Sequence, residues 1–356
     1  MAAVVVIGAG IAGLACARRL ADAGHAVTVF EKAGAAGGRM ATQRTELGGF
    51  DHGAQYFTVR APVFADEVAR WQRAGAAAVW PARVASLGVD ERDTAAKQAL
   101  DNAPRHIGVP AMSAIGVHLA TGLDIRYEAR VVAVEPVIPL GESAGRNAVG
   151  ARWSIRRLAD ASESGGIAVT EGLYDSVVVA LPAAEATPLL LAAPELSAAA
   201  GRVKLTPCWA LMLAFTEPID ADRPLAYDAA LVRGSRLAWI ARESSKAQRR
   251  LGERWVAHAR AAWSIEHFDD DPEDVKTKLL RAFHDITQSR EQPLYAAVHR
   301  WRHGAVETPL AEGFLWDAER AIGACGDWCS GARVEDAWSS GVSLAARIIE
   351  RLDHSA

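Results

Sequence analysis

The chain has 356 residues, half of them hydrophobic and 23% charged, with a formal net charge of -4 and a pI near 6.2, which is ordinary for a globular protein with a sizeable core in one or two intertwined domains. The weak negative charge gives no general attraction to nucleic acid or anionic membranes. Four cysteines, at 16, 208, 325 and 329, are too scattered for a secreted disulfide framework, so a reducing cytoplasm is expected.

Met1 to Ala17 is apolar but has no basic leader, since Arg18-Arg19 follow it, so it does not read as a signal peptide. It opens instead with the β-branched run Ala2 to Ile7, followed by helical spacing from Leu14 to Ala23 that stops at Gly24, and a second strand over Ala26 to Phe30. That is a βαβ unit. A helix is predicted over Arg60 to Ala78 with Phe64, Val68 and Trp71 on one face, and Val84 to Pro104 has no clear pattern. Gly108-Val109-Pro110 opens a predicted helix over Ala111 to Ala120 that closes at Gly122, before strands at Asp124 to Tyr127 and Arg130 to Val134.

Ser143 to Ser164 reads as hairpin loops around Trp153 and Ile155, and Tyr174 to Leu181 as a strand buried on both faces that Pro182 ends; Pro182, Glu185 and Pro188 break the run to Leu191 before it could span a membrane. From Thr206 to about Ala311, tryptophans set in alternating runs around a charged helix at Pro272 to Ile286 predict an antiparallel layer. Val334 to Leu352 reads as a closing helix.

The chemistry begins at Gly8-x-Gly10-x-x-Gly13, between the first strand and the first helix. Gly8 permits the tight turn, Gly10 lets the backbone approach a pyrophosphate, and Gly13 allows close helix-strand packing, with Ile11 and Ala12 opening the helix whose N-terminus faces the phosphates. Glu31 stands 18 residues past Gly13 at the end of the second strand, where a carboxylate accepts from ribose hydroxyls and repels a 2'-phosphate. Lys32 and Arg39 are cations available to a pyrophosphate, and Gly37-Gly38 lets the chain pass close to a cofactor.

Gly38-Arg39-Met40, Asp51-His52-Gly53-Ala54-Gln55-Tyr56-Phe57-Thr58, Gly108-Val109-Pro110-Ala111-Met112-Ser113, Trp239-Ile240-Ala241-Arg242, His299-Arg300-Trp301-Arg302 and Cys325-Gly326-Asp327-Trp328-Cys329 together resemble the amine-oxidase-like flavoproteins and, within them, the renalase-like family. The resemblance covers essentially the whole chain. It implies an α/β fold with a discontinuous Rossmann-type FAD-binding domain over 1–60, 108–200 and 320–356. A mainly antiparallel substrate domain with helices is inserted over 61–107 and 201–319. By resemblance, Gln55 and Tyr56 line a non-covalent FAD, Val131 meets the adenine through its backbone and Val334 sits beside the isoalloxazine. Gly326 and Asp327 lie just ahead of the last helix, where Asp327 either accepts from a ribityl hydroxyl or caps a helix.

Tyr56, Phe57, Thr58, Val59 and Arg60 then form one substrate wall. Cys208 stands at another wall position, and is equally readable as a small buried hydrophobe. Trp239 and Trp301 are the tryptophans placed to stack on a planar ring. Any of Arg60, Arg242 and Arg300 could meet a carboxamide or phosphate.

Renalase-like proteins oxidise 2- and 6-dihydro isomers of NAD(P) to NAD(P)+ and pass the electrons to O2, giving hydrogen peroxide. The expected partners are therefore a dihydronicotinamide dinucleotide and O2. Two other readings stand beside this one. The first is an FAD-dependent oxidoreductase acting on an amine or a carbon-carbon bond. Amine oxidases of this fold often carry a lysine near flavin N5, and only Lys204 and Lys246 lie in the central region. The second is a non-enzymatic flavin redox sensor. Two departures bear on substrate preference: Glu243, where relatives commonly carry Asn, and Arg260. No metal site is expected, since His299 and His303, at helical spacing, have no third ligand suggested nearby.

Overall fold

The computed structural model describes residues 1–88, 103–137, 152–158, 168–220, 225–249 and 252–354. The chain divides into two compact units, Met1–Gly38 with Gly116–Leu205 and Val306–Ala356, and Arg39–Ile115 with Thr206–Ala305. Segments 39–60 and 108–115 thus belong to the second unit, and 201–205 and 306–319 to the first. Among the described residues no helix is long and apolar enough to cross a membrane.

The first unit is built on a six-stranded sheet in the order Leu315–Asp317, Ile322–Ala324, Ser176–Val179, Ala3–Ile7, Ala26–Phe30, Asp124–Arg126. All its pairings are parallel except the first. Burial on both faces explains the unbroken apolar runs: Val4, Val5 and Val6 have no exposed surface, nor do Val177, Val178 and Val179. Helices Ile11–Asp22 and Val334–Asp353 pack so closely that a Cβ on Gly341 would stand 2.1 Å from the Ala12 carbonyl oxygen. A three-stranded antiparallel sheet, Ala168–Tyr174, Arg152–Leu158, Val131–Val137, completes this unit.

The second unit carries a six-stranded sheet in the order Tyr295–Thr308, Lys204–Phe215, Glu253–Ala259, Leu237–Arg242, Ala229–Val232, Val84–Leu87. Its central pairings are antiparallel, and the edge strand Val84–Leu87 runs parallel to its neighbour. Strand alternation gives this sheet two distinct faces. One face, with Trp209, Leu211, Leu213, Phe215, Ile240 and Trp255, packs against Val275, Leu279 and Phe283 of helix Pro272–Thr287. The other gathers Met212, Ala214 and Val256 around Phe50.

The α/β class and the mainly antiparallel second layer are as expected; several local assignments are corrected. The helix predicted over Arg60 to Ala78 covers only Pro62–Arg73. Gly75, at φ +73°, turns the chain, and Ala77–Val79 pairs as a strand with His106–Gly108. The helix predicted from Ala111 starts at Ala114, because the amides of Met112 and Ser113 donate instead to Asp51 Oδ1 at 3.0 Å and Thr42 Oγ1 at 3.3 Å. The run from Tyr174 to Leu181 is two elements, split at Asp175, whose carboxylate accepts from Ala3 N at 2.8 Å.

His299 and His303, despite their helical spacing, lie on a strand of the expected antiparallel layer. A four-residue helix, Asp327–Ser330, intervenes before the closing helix. Within the expected hairpin loops Arg152–Leu158 is a strand, and 143–151, 159–164 and most of the unassigned 84–104 stretch lie outside the described residues.

Candidate functional site

In the first unit the turn after the first strand is shaped by its glycines. Gly8 has φ +107°, and a Cβ there would stand 2.5 Å from the Ala180 carbonyl oxygen. A Cβ on Gly13 would stand 2.0 Å from the Gly8 carbonyl oxygen. Both glycines are demanded by protein packing. Gly10, at φ -75°, would meet no protein atom within 4 Å. Unlike its two neighbours, Gly10 is thus not demanded by protein packing, and it stands at the N-terminus of helix Ile11–Asp22. Gly38 backs the turn, where a Cβ would lie 3.2 Å from Gly10 Cα, and Gly37 N donates to Ala9 O at 2.9 Å.

Glu31 is buried at the end of the second strand. Its Oε2 accepts from Ala9 N at 2.7 Å and its Oε1 from Ala33 N at 2.8 Å, so both oxygens are oriented and each keeps a lone pair for a hydroxyl donor. Lys32 is exposed and pairs with Glu185 at 2.5 Å. Val131 and Val334 are half-buried, Val131 at the start of its strand and Val334 at the first position of the closing helix. Gly326 N donates to Ser340 Oγ at 3.1 Å, and Asp327 Oδ1 accepts from Trp328 N at 2.9 Å.

In the second unit Arg39 follows the glycine pair, and its carbonyl accepts from Ala54 N at 2.9 Å. Met40 is buried. The sheet face turned away from helix Pro272–Thr287 carries Cys208, Trp239, His258, His299 and Trp301. The segment Asp51 to Phe57 lies against that face. The His52 carbonyl accepts from Trp301 Nε1 at 2.9 Å and meets His258 Nε2 at 3.0 Å. The His52 ring stacks on Trp301 at 4.9 Å and meets His299 edge-on at 4.7 Å. Tyr56 lies 5.4 Å from Trp239 and 6.3 Å from Trp80, with the Arg105 guanidinium 5.3 Å over its ring.

The other wall residues separate. Phe57 is in the core, against Phe64, Trp71 and His106; Thr58 and Val59 are half-buried and Arg60 is exposed. Burial pushes the Cys208 thiol up to about 12, which removes it as a nucleophile. Arg242 pairs with Asp220 at 2.8 Å and Glu253 at 3.3 Å and covers the Trp255 ring on the helix-packed face. Arg300 covers Trp209 and Phe268 on that same face.

Burial, reinforced by His299, brings the His52 pKa down to about 4, and burial does the same for His258. Both imidazoles are neutral near pH 7, so neither adds a charge to this face. A folded-state histidine pKa below the ordinary 6.5 opposes folding in acid, because the unfolded chain takes up protons that the folded one does not. Urea-unfolding stability is therefore expected to fall as the pH drops from about 6.5 towards 4, and a His52→Leu/His258→Leu protein should show a flatter profile.

Beneath Tyr56 lies a quartet of buried charges. Lys246 Nζ is 3.2 Å from Asp51 Oδ2 and 2.5 Å from Glu243 Oε1, and donates to Gln55 Oε1 at 3.2 Å. Arg249 Nη1 bonds Asp51 Oδ2 and, at 2.8 Å, Glu243 Oε2, while its other nitrogens donate to the Gly108 and Pro110 carbonyls. Burial alone would raise the Asp51 pKa, but Lys246 and Arg249 outweigh it and hold the carboxyl below its ordinary 3.8. Residue patterns did not reveal Asp51, Arg249, Trp80 or the three histidines as a group. Period-two alternation would have put His258 and His299 opposite the helix-facing set, once that set was known. Among the described residues no group of three or more His, Cys, Asp or Glu side chains could hold a metal ion.

A Rossmann unit with an open glycine turn and a buried, oriented acid at the end of its second strand has the form of a dinucleotide-binding domain. Residues 6–70 match the NAD(P)-binding Rossmann-like domain and residues 69–349 the flavin containing amine oxidoreductase family; the chain belongs to that family, whose cofactor is a flavin.

Solved structures align over nearly the whole length. An Exiguobacterium protein provisionally described as a protoporphyrinogen oxidase superposes with TM-score 0.74 at 12% identity, covering 98% of this chain and 99% of the other. Cyclohexylamine oxidase from Brevibacterium oxydans superposes with TM-score 0.71 at 13% identity, over 99% of each chain. At such identities the likeness is one of fold. L-amino-acid oxidase from Mus musculus is 53% identical over 47 residues, 13% of this chain and 8% of that protein. A 1-hydroxycarotenoid 3,4-desaturase from Flavobacterium is 48% identical over 66 residues, 18% of this chain and 13% of its own length. The matches thus span only a small part of these curated relatives.

Proposed function

We propose that this family member is a renalase-like oxidase that holds FAD non-covalently and converts 2- and 6-dihydro isomers of NAD(P) to NAD(P)+, with O2 reduced to hydrogen peroxide. The observation that carries the reading is the aromatic face of the second unit, with Tyr56, Trp239 and Trp301 beside neutral His52 and His258. Such a face can stack on a planar dihydropyridine. The central lysines support the same choice, since Lys204 is exposed and Lys246 is enclosed by Asp51, Glu243 and Gln55.

In this reading Gly10 leaves room for the pyrophosphate, Glu31 accepts from the ribose, and Arg39, Met40, Gln55, Val131, Gly326, Asp327 and Val334 line the cofactor. Lys32 adds at most a screened surface charge, because Glu185 already engages it. The bound flavin supplies hydride acceptance and delivery of electrons to O2. Tyr56, Trp239 and Trp301 orient the ring, and hydride transfer asks no strong base of them. Of the three arginines open to a carboxamide or phosphate contact, Arg60 is the one that is not on the helix-packed face.

Anaerobic stopped-flow mixing tests the proposal. Both dihydro isomers are expected to bleach the flavin faster than ordinary NADH, and amines not to bleach it. Bleaching by cyclohexylamine or putrescine, with the dihydro isomers no faster than NADH, would overturn it in favour of amine oxidation.

A further inference from the structure

We infer that Lys246 is a positioning residue for the Tyr56 wall, and that Glu243 supplies the charge that allows Lys246 to be buried there. The inference rests on Tyr56 being a ligand wall, as read above. Lys246 is 1% exposed, and Asp51, Glu243 and Gln55 take its three ammonium hydrogens. An ammonium only donates, so it dictates which end of the Gln55 amide faces it; Gln55 Nε2 donates in turn to the Asp51 carbonyl, and the amide is locked.

The same ammonium stands 5.4 Å over the Trp80 ring, a cation–π contact between two buried side chains. Trp80 is fixed on its other side by Nε1 donating to Ser245 Oγ at 3.1 Å, and that hydroxyl donates to the Arg242 carbonyl at 2.7 Å. Lys246 therefore touches both neighbours of Tyr56, Gln55 along the chain and Trp80 across the ring.

The charge count explains Glu243. Asp51 alone would face two buried cations, Lys246 and Arg249, and an unmatched buried charge is costly. Glu243 bonds one cation through each of its oxygens, at 2.5 and 2.8 Å. A neutral Asn at this position would leave the group with one excess positive charge.

Structural and positioning roles separate in a charge-balanced variant. Lys246→Met and Glu243→Gln each leave one unmatched charge, and each is expected to lower the urea midpoint of unfolding. Of the quartet the double variant leaves Asp51 with Arg249, beside the unchanged Arg254 and Glu253, and should recover most of that loss. The Gln55 and Trp80 contacts remain missing in it, so its near-UV circular dichroism, measured without flavin, should still differ from wild type. Its FAD-loaded form should bind NAD+ roughly tenfold or more weakly, as expected for loss of hydrogen bonds to a charged group. Gln55→Met, which keeps all four charges, should change the same dichroism.

A double variant with wild-type dichroism and NAD+ affinity would overturn the inference, and so would wild-type dichroism in Gln55→Met. Altered dichroism with a wild type that binds no NAD+ would support the positioning while overturning the dihydronicotinamide reading.

Discussion

Asp51→Asn is expected to lower the unfolding free energy by about 3–5 kcal/mol, the range for removing one partner of a buried ion pair. Four partners converge on this carboxylate: Lys246, Arg249, Thr42 Oγ1 at 2.7 Å and Met112 N at 3.0 Å. The Asn side chain keeps the shape and one acceptor but loses the charge, leaving Glu243 alone against two cations. Because the Asp51 pKa is depressed in the fold, the charge contributes fully above the ordinary value of 3.8 and is lost only as the pH falls through the lower folded value. Wild type and variant should therefore differ by a constant amount between pH 5 and 8 and converge only in strong acid. Urea titrations across that range check this; a loss below about 1 kcal/mol at pH 7, the scale of a surface pair, would mean the quartet is not energetically coupled.

The second large effect divides the glycines of the turn. Gly13→Ala would place a Cβ 2.0 Å from the Gly8 carbonyl oxygen and 3.0 Å from Ala180 Cβ, contacts that force helix and strand apart. Flavin-free protein is expected to melt lower by about 1–3 kcal/mol of stability, the cost of overpacking, and to lose FAD affinity as well. Gly10→Ala meets no protein atom within 4 Å and keeps an ordinary φ of -75°, so its flavin-free form should melt like wild type. On the proposed reading its new methyl group would occupy the approach of the pyrophosphate, and FAD binding should weaken by an order of magnitude or more, about 1.4 kcal/mol for each factor of ten. Fluorescence titration with FAD beside thermal melts reads both quantities. Equal FAD affinity in wild type and Gly10→Ala would remove Gly10 from the cofactor site.

What could be read directly from the sequence was what local rules control. The βαβ unit, its glycine turn, Glu31 and the closing helix at Val334–Asp353 rest on short-range periodicity and turn chemistry. Each needs only neighbours within a few turns of chain. Spacing alone could not place His299 and His303, because a separation of four satisfies both a 3.6-residue helix and a two-residue strand. Neighbouring strands decided it.

The flavin family was legible because its motifs are distributed along the chain, whereas the choice among Arg60, Arg242 and Arg300 was not. That choice depends on which sheet face packs on helix Pro272–Thr287, and Arg242 and Arg300 proved to lie on the packed face. The buried quartet was the least legible feature. Charged residues ordinarily read as solvent-exposed, and their burial here depends on partners 195 and 198 residues away from Asp51. The sequence by itself thus determined the glycine turn, the βαβ unit around it and the closing helix, which short-range sterics and hydrogen bonding dictate. Only the tertiary structure decided which polar side chains are buried and what they hold in place, because the free energy of a buried charge is set by whatever the fold brings against it.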